Sequence, residues 1–212
     1  IYSTEIDTLN IIPSNVDLAG AEIELVGRDN REKILSMALN GINEEYEFVV
    51  IDCPPSLGLL TINALTVSQS VLIPMQCEYY ALQGLSHLLK TLQRIKKSIN
   101  PNLKVEGILL TMYDNRTLLT SQVENQVKKY FSEYLMRTII PRNIRLSEAP
   151  SHGKPIVLYA NRSKGSDSYI ELAQEVIQRT KGEISSSKIE PQEVTYEEWI
   201  KENKLRDFLK KK

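Results

Sequence analysis

The chain has 212 residues, 42% of them apolar and 25% charged, which suffices for one α/β domain with a full core and a small appendage. Its formal net charge of −1 excludes a global drive toward nucleic acid, so any DNA contact needs a local basic patch. No apolar run approaches the length of a membrane span, and neither the two cysteines nor the two histidines have the spacing of a metal motif.

Strand and helix patterns alternate along the chain. The segment Leu9–Pro13 reads as a short strand, and residues 31–43 carry helical spacing at Ile34, Leu35, Ala38, Leu39 and Ile42. Phe48–Asp52 reads as a strand, Leu57–Val67 as a helix and Ser70–Met75 as another strand. Leu82–Ile99 is a long amphipathic helix with Leu85, Leu88, Leu89, Leu92 and Ile95 on its apolar face. Val105–Met112 follows as a strand, Ser121–Tyr134 as a helix and Thr138–Pro141 as a short strand. Ser166–Arg179 is a helix with Tyr169, Ile170, Ala173, Val176 and Ile177 expected on its buried face. This alternation predicts βαβ units and a parallel sheet. Residues 1–181 form the main domain, and 182–192, rich in Ser and charge, read as a linker. Residues 193–212 read as an amphipathic helix carrying Tyr196, Trp199, Ile200, Leu205, Phe208 and Leu209. The opening at Ile1, in mid-fold, is read as a truncation, a processed end or a split reading frame. Cys53 and Cys77 are expected in or beside buried strands, as reduced core thiols of a cytoplasmic protein.

The most informative stretch is Tyr46-Glu-Phe-Val-Val-Ile-Asp-Cys-Pro-Pro-Ser-Leu-Gly58. Four apolar residues suit a strand buried on both faces. Asp52 then falls at its carboxyl end, where open α/β sheets bind ligands, and Pro54 and Pro55 stop the strand. A buried strand ending on an acid resembles a Walker B segment, whose Asp holds nucleotide-bound Mg²⁺. The phosphate-cradling pattern G-x-x-x-x-G-K-[ST] occurs nowhere in the chain.

With Leu18-Ala-Gly-Ala-Glu-Ile-Glu-Leu25, Ile51 to Leu65, Pro74 to Leu85, Gly107 to Asp114 and Ile140 to Pro155, the Asp52 stretch forms an ordered set. The set resembles the ParA/Soj-type chromosome-partitioning ATPases, deviant-Walker P-loop NTPases related to MinD. The resemblance runs from about Leu9 to about Gln178. It implies an α/β, three-layer P-loop NTPase-like fold, with a mostly parallel sheet, helices on both faces and the first strands absent from this chain. It also implies a dimeric switch that binds ATP and Mg, holds DNA without sequence preference and answers to a ParB-type partner. The expected localisation is cytoplasmic and nucleoid-associated, with no membrane contact.

By resemblance, Asp52 coordinates Mg²⁺ through a water, an ion that keeps several waters and touches few carboxylates. Pro54, Pro55, Ser56 and Gly58 resemble a switch segment sensing the γ-phosphate. Pro141, Arg142 and Asn143 line the adenine pocket, with Met112 completing it. Arg116 and Arg145 resemble DNA-holding arginines, and Arg142 and Lys154 could widen that patch. The alternatives are a strand-end Asp capping a turn, ordinary βα loops and solvated surface arginines. No catalytic residue is assigned, because the family's catalytic Lys and Asp belong to a segment not in this chain. The chain itself is therefore expected to be a poor ATPase. Glu148 and His152 invite an acid/base reading, but no nucleophile accompanies them. Three rival functions stand beside the partitioning switch. A remnant could bind DNA or protein without hydrolysis. An iron–sulfur reductase would need bridging cysteines that Cys53 and Cys77 do not suggest. A MinD-like regulator would need a membrane-binding tail, for which the acids Glu197, Glu198, Glu202 and Asp207 are poorly suited.

Overall fold

The computed structural model describes residues 1–182 and, of Asn43, only the backbone. The expected linker, all but Gly182, and the expected terminal helix lie outside the described residues. The chain divides into two compact units. Residues 1–68 with Ser98–Pro101 form the first; the second comprises Gln69–Lys97 and, of the described residues, those from Asn102 to Gly182.

In the first unit, β1 (Tyr2–Ser3) pairs antiparallel with β2 (Asn10–Ile11), inside the expected Leu9–Pro13 segment. Helix α1 (Leu18–Glu24) follows. The helix expected over 31–43 is broken into a 3₁₀ turn at Arg31–Lys33, α2 (Ile34–Ala38) and α3 (Ile42–Glu45). Gly41, with φ 84°, lies between the two α-helical pieces. A left-handed residue cannot continue a right-handed helix, so apolar spacing alone overstated the length.

Helix α4 (Leu59–Val67) is anchored by polar contacts with residues distant in sequence. The buried Asn63 donates from Nδ2 to the carbonyls of Arg31 (2.8 Å) and Leu59 (2.9 Å), and its Oδ1 accepts from the Leu35 N–H (3.0 Å). The Glu22 carboxylate accepts from the Leu60 N–H (3.3 Å) at the start of α4. It lies so close over Gly58 that a Cβ there would come within 2.0 Å of Glu22 Oε1.

The expected strand Phe48–Asp52 is not formed. These residues lie in no strand or helix, and Val50 is 92% exposed. No described strand pairs with them, and an apolar run without ladder partners does not become a strand. Cys53, expected in the core, is accordingly exposed, whereas Cys77 is buried.

The second unit is built on parallel strands β3 (Ser70–Gln76) and β4 (Lys104–Thr111), connected through α5 (Ala81–Ser98). A shift of register between Val71 and Leu72 leaves Glu106 as the extra residue of a bulge. The bulge changes which residues of β4 share a face. Val71 and Val105 line one crevice with Leu89 and Leu92 of α5. Past the bulge, Leu72 and Leu109 belong to a different cluster, with Met136, Ile140 and, from α9 (Lys164–Thr180, the last helix described), Leu172 and Val176. Helices thus cover both faces of this sheet.

After α6 (Leu118–Phe131), residues 134–142 run parallel to β4. The Ile108 N–H donates to the Tyr134 carbonyl (2.7 Å), the Met136 N–H to Ile108 (2.9 Å) and the Ile140 N–H to Leu110 (2.9 Å). The short strand expected at Thr138–Pro141 is instead an interrupted ladder, since Arg137 and Thr138 bulge out of it. Both of their N–H groups donate to the Glu175 carboxylate at 2.9 Å. Glu175 is in turn paired with Arg179 (3.0 Å), which donates to the Glu106 (3.1 Å) and Leu135 (3.2 Å) carbonyls. One buried ion pair on α9 therefore satisfies both irregularities of the sheet. The face expected for α9 is corrected accordingly. Leu172, Glu175 and Arg179 are buried, while Tyr169, Ile170 and Ile177 are exposed. Helices α7 (Ile144–Glu148) and α8 (Ile156–Tyr159) complete the described unit.

Candidate functional site

The second unit gathers most of the predicted site residues at the carboxyl ends of two adjacent parallel strands. β4 ends at Thr111, and Met112 turns away with φ 50°, a left-handed conformation unusual for a residue with a side chain. Tyr113 then pairs with Pro141. Its N–H donates to the Ile140 carbonyl (3.1 Å), and its own carbonyl accepts from the Arg142 N–H (2.9 Å). Loop 112–117 and segment 140–143 are thereby held side by side. The Tyr113 hydroxyl bonds the Glu124 carboxylate of α6, which raises the Tyr113 pKa to about 12.

Asp114 organises the rest of the loop. Its Oδ1 accepts from the Arg116 backbone N–H (3.1 Å) and from Nε (2.8 Å), and its Oδ2 accepts from Nη2 (2.7 Å). These side-chain and backbone bonds from Arg116, with the Arg142 charge adding, hold the Asp114 carboxyl well below the usual range. Arg142, grouped with the patch by its nearness to Arg145 in sequence, lies close enough to Asp114 for its charge to act there.

Asn143 caps α7, its Oδ1 accepting from the Arg145 N–H (2.8 Å). That bond uses one lone pair of the amide oxygen and leaves Nδ2 as a donor for another ligand. Pro141 and Asn143 are half-buried, and Arg142 is exposed. Arg145 is exposed and pairs with Glu148 (2.8 Å). The same Glu148 oxygen accepts from the Tyr159 hydroxyl (3.1 Å), and His152 stacks on Tyr159 at 4.7 Å. Bonds from Arg145 and then Tyr159 lower the Glu148 pKa, so this carboxylate is an occupied acceptor with no nucleophile beside it. Cys77 is buried, its thiol pushed up to about 11 by burial and the nearby Glu124 charge, the opposite of an activated cysteine.

In the first unit, Asp52 and Pro54 are exposed. The Asp52 carboxylate accepts no hydrogen bond from another described residue, which suits a hard ion that keeps most of its waters. The sequence carries no G-x-x-x-x-G-K-[ST] loop, so in this unit the chain offers a ligand for the ion but not the cradle for phosphate. Among the described residues no helix is long and apolar enough to cross a membrane.

Two of these features escaped the sequence reading. The Asp114-Asn-Arg116 spacing is a recognisable Asx-turn signal. Glu175 and Arg179, at i and i+4, carry the pattern of a solvated helix pair, and nothing local marks them as buried.

A family model described as an AAA domain matches residues 1–105. The sporulation initiation inhibitor protein Soj of Bacillus subtilis is 57% identical over 176 residues, covering 83% of this chain and 70% of that protein. The chromosome partitioning protein ParA of Myxococcus xanthus is 53% identical over 179 residues, covering 84% of this chain and 63% of that protein. Among solved structures, a cobyrinic acid a,c-diamide synthase from Mycobacterium smegmatis, with bound ADP and magnesium, superposes with a TM-score of 0.67. It is 35% identical, and the match covers 84% of this chain and 66% of that one.

Proposed function

The chain belongs to the ParA/Soj family of chromosome-partitioning ATPases, with its P-loop NTPase-like α/β fold, and from that premise we propose that it serves an ATP-dependent partitioning switch. In this reading, the ATP-bound protein closes as a homodimer, holds chromosomal or plasmid DNA without sequence preference, and releases it when a ParB-type partner stimulates hydrolysis. It works in the cytoplasm on the nucleoid, with no membrane contact.

The observation that carries the reading is the joining of loop 112–117 to segment 140–143 through the Tyr113–Pro141 pairing. It places Met112, Arg116, Pro141, Arg142 and Asn143 on neighbouring strand ends, where open α/β sheets take ligands. Met112, Pro141, Arg142 and Asn143 would meet the adenine, and Arg116 and Arg145 the phosphates of DNA. Asp52 would hold Mg²⁺ through a water, and that ion would neutralise phosphate charge when bound. Pro54, with Pro55, Ser56 and Gly58, would form the switch that senses the γ-phosphate.

The test is duplex binding by the chain, followed by fluorescence anisotropy across a salt series. Each lost phosphate contact should reduce the slope of log affinity against log salt by about 0.9. Arg116→Ala and Arg145→Ala should each show that reduction, equally on unrelated sequences. A flat salt response in the parent chain, or variants with its slope, would refute DNA contact at these residues.

A further inference from the structure

We infer that Asp114 is a positioning residue for nucleic-acid contact, holding the Arg116 guanidinium in a fixed, outward orientation; this rests on the proposed role of Arg116. The guanidinium has five N–H donors. Asp114 takes two of them, on Nε and Nη2, which leaves three for a phosphate. The Arg116 side chain is 82% exposed and that of Asp114 only 17%, so the cation is presented and its anchor is sheltered. The anchor is itself fixed on both sides. Tyr113 before it is locked into the ladder with Ile140 and Arg142. After it, the Asp114 carbonyl accepts from the Thr117 N–H (3.3 Å), and Thr117 caps α6.

Two effects of this carboxylate oppose one another, and their signs separate them. As an anion beside a DNA-binding surface, Asp114 repels phosphate, so neutralising it should strengthen binding. As a buttress, it has already removed the rotamer freedom that a long side chain otherwise loses on binding, so neutralising it should weaken binding. The phosphate would sit in solvent beyond the exposed Arg116 guanidinium, so salt and that intervening cation screen the repulsion from Asp114, whereas rotamer freedom is not screened. The buttress should therefore win.

The experiment compares Asp114→Asn, Arg116→Ala and the double variant with the parent chain, using anisotropy on a random duplex at fixed salt. Asparagine keeps an acceptor for the Arg116 backbone N–H but loses the charged two-point clasp. Affinity should fall about fivefold in Asp114→Asn although a negative charge has been removed. The same substitution in the Arg116→Ala background should cause no fall. Unchanged or tighter binding by Asp114→Asn would overturn the inference, as would an equal fall in both backgrounds, which marks loss of fold. If Arg116→Ala weakens binding in those cases, the proposed DNA role stands and only the positioning role fails. A parent chain that binds no duplex would overturn both.

Discussion

Glu175→Gln should be among the most damaging single substitutions in the second unit. The Glu175 carboxylate accepts from the Arg137 and Thr138 N–H groups at 2.9 Å and from Arg179 Nη2 at 3.0 Å and Nε at 3.2 Å. Both members of the ion pair are buried, at 5% and 7% exposure. Glutamine keeps the shape but points an amide N–H₂ at donors and leaves the Arg179 cation without a counter-charge. Removing one partner of a buried pair costs about 3–5 kcal/mol, against about 5–15 kcal/mol for a whole domain. With a urea dependence of about 2 kcal/mol per molar, the unfolding midpoint should fall by about 2 M. Circular dichroism across a urea series measures it, and Glu175→Gln with Arg179→Met completes a double-mutant cycle. Removing both charges should cost less than the sum of the single losses, by at least about 1 kcal/mol. A loss below about 1 kcal/mol for Glu175→Gln, or strict additivity, would refute the claim that this pair holds the two bulges together.

Acid should act through the same group. Burial works to raise the Glu175 pKa, but the N–H groups of Arg137 and Thr138 and the Arg179 side chain together lower it. A lowered folded value means that stability is fully present above the unfolded pKa, about 4.3, and is lost as pH falls through the folded one. The parent chain should lose stability below about pH 4.3 more steeply than Glu175→Gln does, and matching pH profiles would contradict this. Gly107→Ala should cost about 1–3 kcal/mol, because the added Cβ would lie 2.2 Å from Met136 Sδ in the packed face of β4. A urea midpoint equal to the parent's would show that Met136 moves aside freely.

Much of the second unit was legible in the sequence. The apolar runs of β3 and β4 and the regular stripe of α5 fixed those elements to within a residue or two. The ordered motifs pointed to the family, which the relatives bear out. They also named the residues of loop 112–117 and segment 140–143, which pairing through Tyr113 brings side by side.

Tertiary structure decided the rest, because periodicity says which residues are apolar but not what will pair with them. Phe48–Ile51 has the composition of a buried strand, yet no described strand pairs with it and Val50 is exposed. Glu175 and Arg179 have the spacing of a surface pair, yet two bulges in the sheet draw them inside. A bulge arises from the mismatch between neighbouring strands, so the groups that must satisfy it are chosen by the sheet, not by their own helix. Arg116 carries the same lesson at the surface. Its charge is evident from the sequence, but its orientation depends on Asp114, a carboxylate fixed only once Tyr113 has found Pro141.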